Sequence, residues 1–361
     1  SRGLFAKQGV SAQLKLLATP ADVIAGLESG EIDAGMLPPA EALRPRENVD
    51  LTYAHVLARN ADVVSVSQDL WQKMQGGLLR EAGGEVLHPI HAHALQIPSQ
   101  EASQRGTPLI FEVTSPLSTA ALALRYWLGA AGIDTEVQSS GTESSTAGRM
   151  TCQLAIAARP QADADGRAAT LWHPVPSLAT VIAAEAVVKD LPTSVFCSRP
   201  EWLNDHTERL IACVTALIEA AQWLDASMDN RRQAADDLVR VLGQGGASAS
   251  ERMPSASSSG LSFGINGSAA PDRPSALWIL SQMARWGDLP ASTDNAGFES
   301  LVDQTLRPDL FLAAVERHGT FLPGLRLRLD PDAAIDEVID GNHLRPRQTA
   351  AYTQGFRGQN P

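Results

Sequence analysis

The stretch "TPADVIAGLESGEIDAGMLPP", residues 19–39, constrains this chain more than any other. Thr19 is placed to cap a helix, and Pro20 falls in its first turn, where the missing N–H has no helical partner to lose. Val23, Ile24 and Leu27 share one face, and Gly30 supplies the stop. "EIDAGML" then reads as a short buried strand running into Pro38-Pro39. The preceding "SAQLKLL" alternates polar and apolar residues, the period of a strand. Strand, helix and strand within about 40 residues predict a parallel sheet flanked by helices.

The same rhythm continues. "ADVVSVS" reads as an apolar strand and "QDLWQKMQGGLLREAGG" as a helix. From Thr107 the pattern resets: "PLIFEV" predicts a strand, "SPLSTAALALRYWLGAAGI" a helix and "DTEVQ" the next strand. "TSVFCS" (193–198) predicts a strand returning to the first lobe, followed by the long helix "PEWLNDHTERLIACVTALIEAAQWLDA". Residues 243–269 are rich in Gly and Ser and read as an extended loop. The helix "ALWILSQMARWG" comes next, with Gly287 as its stop. Beyond Pro323 the sequence is charged and turn-rich, a tail that wraps a lobe or stays partly disordered. The organisation this gives is lobe I over 1–105, lobe II over 106–192, a return to lobe I over 193–330 and a tail over 331–361.

Composition excludes several functions. With 29 basic against 41 acidic residues the chain carries a net charge of −12, the wrong sign for gripping phosphates, so no direct nucleic-acid contact is expected. Cys152, Cys197 and Cys213 are odd in number and unpatterned, which argues against a zinc site or a disulfide framework. No apolar run approaches the ~18 residues of a transmembrane span. The chain opens abruptly at "SRGLFAKQGV". A leader or first strand ahead of Ser1 is compatible with that opening, and export or membrane anchoring would follow from a leader; without one the protein would be cytoplasmic.

Three blocks together resemble one family. "LESGEIDAGMLPPAEAL", "FEVTSPLSTAALALRYWLGAAGID" and "RPSALWILSQMARWGDLP" are similar to the nitrate- and bicarbonate-binding proteins of ABC importers. They are equally similar to a cytosolic relative, the nitrate/nitrite sensor that restrains an RNA-binding antiterminator. The resemblance covers about Gly3 to Leu289 and implies an α/β, two-lobed periplasmic-binding-protein-like fold of type II. Each lobe would hold a mostly parallel sheet flanked by helices, with a ligand cleft between lobes closing by hinge motion. It also implies a non-enzymatic protein without cofactor, whose partners are a small polar ligand or oxyanion and an ABC transporter permease or an antiterminator. A degenerate homologue acting only through protein contacts is a further reading.

By family position the ligand-contacting residues are Pro20, Asp62, Ser118, Thr119, Ala120 and Thr193. The resemblance places a Trp where Pro20 stands, a neutral polar residue at Asp62, a His at Ala120 and a Lys at Thr193. Losing the Lys and the His removes cationic donors, and Asp62 adds a negative charge that opposes an anion. Ser118 and Thr119 either donate to a ligand from the start of the "TAALALRYWL" helix or simply cap it.

Other constellations carry less. Trp278 and Trp286 lie roughly 80° apart around a helix, so both can anchor packing against one neighbouring lobe, with Ile279, Leu280 and Met283 filling between. His88, His91 and His93 in "LHPIHAHAL" have metal-compatible chemistry but no Cys or acidic neighbour, and read as a connecting segment. Arg125, Tyr126 and Trp127 are consecutive on a helix and so point in different directions, with Trp127 read as core. No nucleophile-base pair, phosphate loop or nucleotide motif supports a catalytic residue.

Overall fold

A computed structural model of the 361-residue chain describes residues 2–137, 151–156, 168–171, 179–242, 261–290 and 292–355. The chain packs as two units. The first comprises the residues up to Ala61 with Asp190–Ile335 and Leu344–Thr353; the second comprises Asp62–Lys189 with Asp336–His343.

In the first unit the helix expected after Thr19 runs over Pro20–Ser29. Thr19 Oγ1 accepts from the Asp22 N–H while Asp22 Oδ2 accepts from the Thr19 N–H, a reciprocal cap that fixes the start. Gly30, at φ 76°, ends the helix in the left-handed conformation glycine tolerates. Strand β1 (Ala34–Leu37) follows, and the helix lies so close on it that a Cβ at Gly35 would stand 2.5 Å from Val23 Cγ1. Strand β2 spans Thr52–Arg59 and, counted in chain order, β9 spans Pro192–Ser198. The sheet order is β1-β9-β2, with the returning β9 antiparallel to both neighbours.

That pairing revises the local β-α-β reading, because β1 takes as its partner a strand from 150 or more positions further along the chain. "SAQLKLL" forms no strand among the described residues: Leu14 and Leu16 are 88% and 73% exposed, so their alternation meets no second surface. The core of this unit is built by the Pro200–Ala226 helix, whose Leu203, Leu210, Val214 and Ile218 pack with Phe311 and Ala314 of the Pro308–His318 helix.

In the second unit six strands stand in the order β5-β6-β4-β7-β3-β8. They are β3 (Val63–Val66), β4 (Leu109–Val113), β5 (Asp134–Val137), β6 (Thr151–Ile156), β7 (Ala168–Leu171) and β8 (Ala179–Ala183). β5, β6, β4 and β7 run parallel, whereas β3 is antiparallel to β7 and β8. Because β3 pairs only within this sheet, the first crossing between units falls at Ala61/Asp62 and not near residue 105; the return falls at Lys189/Asp190. The Thr119–Gly129 helix after β4 is buried from Thr119 to Leu128, and the Trp127 indole N–H donates to the Ile90 carbonyl at 2.9 Å.

Several other expectations change in detail. The helix at "QDLWQKM" stops at Met74, and a Cβ on the nearby Gly77 would meet Ala94 Cα at 2.8 Å. Of the loop expected over 243–269, residues 243–260 lie outside the described residues. The end of that loop is packed: the Asp225 carboxylate accepts the Phe263, Gly264 and Ile265 N–H groups. The tail is ordered through its described part, with Ile335 and Leu344 exchanging backbone hydrogen bonds at 3.0 Å and Asp340 accepting from the Tyr126 hydroxyl at 2.7 Å. Within Arg273–Arg285 every residue from Pro274 to Ala284 is buried, and Trp278 is 0% exposed. Trp286 is the residue that closes this helix, half-buried with the Arg285 guanidinium 4.7 Å over its ring.

Candidate functional site

The register of the second unit's sheet places the candidate residues. Phe111 pairs with Ala168 and Glu112 with Ala169, while Val63 pairs with Leu171, two residues further along β7. Val63 therefore lies at the edge where β4 ends, the carboxyl end of the parallel strands. Asp62 precedes Val63, and the Thr114–Leu117 turn after β4 leads into Ser118, Thr119 and Ala120 at the head of the Thr119–Gly129 helix. Asp62, Ser118, Thr119 and Ala120 thus gather at one sheet edge, the end where open α/β sheets hold ligands.

Their chemistry there differs. Ser118 is committed to the fold: its Oγ donates to the Ser115 carbonyl at 2.8 Å and accepts from the Ala121 N–H at 3.2 Å. That is a helix cap, so between the two alternatives for this hydroxyl the structure shows capping. Thr119 and Ala120 are buried beside it. Asp62 is 6% exposed, its backbone carbonyl accepts the Ala184 N–H at 2.9 Å, and no hydrogen bond or ion pair reaches its carboxylate among the described residues. Burial pushes that carboxyl up to about 7 from its ordinary 3.8, because the ionised form loses water without gaining a partner.

In the first unit, Arg59 of β2 pairs with Pro192 of β9 and Leu37 of β1 with Val195, so Thr193 sits at the carboxyl end of both neighbours. Its hydroxyl oxygen accepts the Ala61 N–H at 3.3 Å, leaving the O–H free to donate elsewhere. Pro20 is half-buried at the first position of its helix and offers no side-chain hydrogen bond. With Val23 packed over Gly35 and Gly26 against Ile32, this helix runs with its N-terminus toward the same carboxyl end of β1. Among the six positions, Asp62 is the one ionisable side chain.

Sequence reasoning missed a buried hub beside these positions. Arg59, fully buried, donates to the Ser268 carbonyl (2.6 Å), the Asp190 carbonyl (2.6 Å), the Ala270 carbonyl (2.8 Å) and the Asp272 carboxylate (2.6 Å). Asn60 and Asp190, at φ 57° and 62°, are both left-handed, and the Asn60 amide donates to Asp190 Oδ1 at 3.3 Å. Burial alone would raise Asp190, but the Arg328 guanidinium and the hydrogen bonds from Arg328 and Asn60 outweigh it and hold the carboxyl below its ordinary value. The available signal was "RN" just before an apolar strand: Asn and Asp are the non-glycine residues that most readily take left-handed backbone.

A profile of the NMT1-like family matches residues 1–239, well over half of the chain. The chain belongs to the NMT1-like family. The nitrate/nitrite binding protein NrtA of Synechocystis sp. is 23% identical over 278 residues, 72% of this chain and 60% of that protein. The chain therefore matches less than two thirds of this relative's length. The bicarbonate-binding protein CmpA of Synechococcus elongatus is 25% identical over 402 aligned positions, covering 99% of this chain and 82% of CmpA. The crystal structure of the periplasmic nitrate-binding protein NrtA from Synechocystis PCC 6803 superposes with a TM-score of 0.72 at 18% identity, over 98% of this chain and 93% of that one. At that identity the likeness establishes the fold, the α/β architecture of periplasmic binding proteins, as the "LRYWL" and "RWG" blocks implied. NrtA and CmpA are, by their own descriptions, binding proteins.

His88, His91 and His93 lie outside that sheet edge. His91 and His93, with ring centroids 6.4 Å apart, line a cavity of about 320 Å³ in the second unit with Trp127, Ala130, Ile339 and Asp340. Among the described residues no group of three His, Cys, Asp or Glu side chains is arranged to hold a metal ion.

Proposed function

We propose that the chain is a non-enzymatic solute-binding protein of an ABC-type uptake system, taking a small polar solute of the size of nitrate, nitrite or bicarbonate and delivering it to a transporter permease. The observation that carries the reading is the agreement of the whole described fold with a nitrate-binding protein, together with the gathering of Asp62, Ser118, Thr119 and Ala120 at a carboxyl sheet edge. The side chains that gather at this edge of the second unit include an acid, Asp62, and lack any cation. Binding by such a protein rests on many donors and acceptors placed in advance by rigid strands and helix ends, which is what a sheet edge of this kind provides.

The test is thermal unfolding of the chain with nitrate, nitrite, bicarbonate and a set of neutral and cationic polar metabolites. A solute that binds only the folded state adds about 2.7 kcal/mol of stability at one hundred times its dissociation constant. A selective, saturable rise in the melting temperature with one solute class is expected. A flat response to every compound sinks the reading and leaves a role in protein contacts.

A further inference from the structure

We infer that the site at this sheet edge is built for a solute presenting a hydrogen-bond-donating nitrogen, as an amide, urea or small amine does, instead of an oxyanion of the nitrate kind, and that Asp62 sets that preference. The inference rests on the solute-binding reading above and names its ligand class.

Asp62 is a mostly buried acid whose carboxylate meets no donor or cation among the described residues. It is 6% exposed, and an ionised carboxylate buried without a partner is strongly disfavoured. Native folds pair such groups, and buried cations in the first unit show the usual solution. Arg59 is enclosed by three carbonyls and Asp272, and Arg231 pairs with Asp225 at 2.6 Å. Asp62 is left open at the edge where an α/β sheet receives its ligand. A partner arriving with the ligand completes it: an ionised carboxylate is an acceptor only, so that partner must bring N–H or O–H donors.

The competing attraction is the N-terminus of the Thr119–Gly129 helix, which favours anions. Its macrodipole amounts to about half a positive charge, already shared with the Ser118 hydroxyl, against a full negative charge when Asp62 is ionised. The carboxylate therefore dominates the sign of the local field. A nitrate-like ion would need a counter-charge that Ser118, Thr119 and Ala120, the side chains gathered at this edge with Asp62, do not provide. A ligand with both a carbonyl and an N–H donor satisfies the two features together, its oxygen toward the helix N–H groups and its nitrogen toward Asp62.

The experiment is isothermal titration at about pH 8 with acetamide, urea at non-denaturing concentration, methylammonium, sodium nitrate and sodium bicarbonate. The proteins are the wild-type chain, Asp62→Asn and, should that variant fold poorly by circular dichroism, Asp62→Ser. The expected result is that a nitrogen donor binds the wild type about tenfold or more tightly than nitrate, and that removing the carboxylate abolishes this margin, the size expected of one hydrogen bond to a charged group. Tighter binding of nitrate or bicarbonate to the wild type, unchanged in the Asp62 variants, overturns the ligand class while leaving a solute-binding protein. Silence of every probe with both proteins overturns the binding reading itself, and the inference with it.

Discussion

Replacing Asp62 by Asn isolates one buried ionisation and makes its effect on folding measurable. In the unfolded chain this carboxyl titrates near its ordinary 3.8, whereas in the fold burial raises it to about 7. Below about pH 4 both states hold the proton and the site is neutral in its effect. Between those values the unfolded chain has released the proton and the folded chain has kept it, so stability falls as pH rises. Above about pH 7 both are ionised and the full penalty applies, ~4 kcal/mol at 1.36 kcal/mol for each tenfold change in acidity. The Asn amide carries no charge but leaves its own N–H donors unpaired, a cost of about 1–3 kcal/mol at any pH. Asp62→Asn should therefore be more stable than the wild type by about 1–3 kcal/mol at about pH 8 and less stable by a similar amount at about pH 4. Calorimetric unfolding of both proteins across this range, without ligand, should show the two stability curves crossing. Parallel curves would refute the argument, because they would mean the Asp62 carboxylate is solvated or paired in the folded protein.

Three further perturbations test how the two carboxyl edges are held. Asp272→Ala removes both the ion pair to Arg59 and the cap on the Ser275 N–H at 2.9 Å, stranding a buried guanidinium; urea titration should show a loss of about 3–5 kcal/mol. Gly35→Ala drives a methyl to 2.5 Å from Val23 Cγ1 and should cost about 1–3 kcal/mol, and the double variant with Val23→Ala should recover most of it, a coupling read from a double-mutant cycle. Ser118→Ala deletes the helix cap and the bond to the Ser115 carbonyl, and should lower stability by about 1 kcal/mol in chemical denaturation.

What the sequence determined by itself was local. The start and stop of the Pro20–Ser29 helix follow from Thr19, Asp22, Pro20 and Gly30, all within one or two turns, so the cap chemistry could be read directly. The Thr119–Gly129 helix was legible in the same way, with Ser118 capping it, whereas the "ALWILSQMARWG" helix begins three residues earlier than its pattern indicated, at Arg273 behind the Asp272 cap. The six candidate positions came from the family resemblance, and the absence of a cationic side chain among them is read from residue identity alone. Only the tertiary structure decided which partners these elements take. β1 pairs with a strand more than 150 residues away, and in the opposite direction to the one its local rhythm suggested. Arg59 draws its acceptors from Asp190, Ser268, Ala270 and Asp272, groups whose proximity no local pattern encodes. The state of Asp62 is of this second kind: a carboxyl's tendency to ionise depends on the water and donors that the fold brings to it or removes. Helix caps are short-range hydrogen bonds written into neighbouring residues, whereas pairing and desolvation are long-range outcomes of burial, which exist only once the chain has closed on itself.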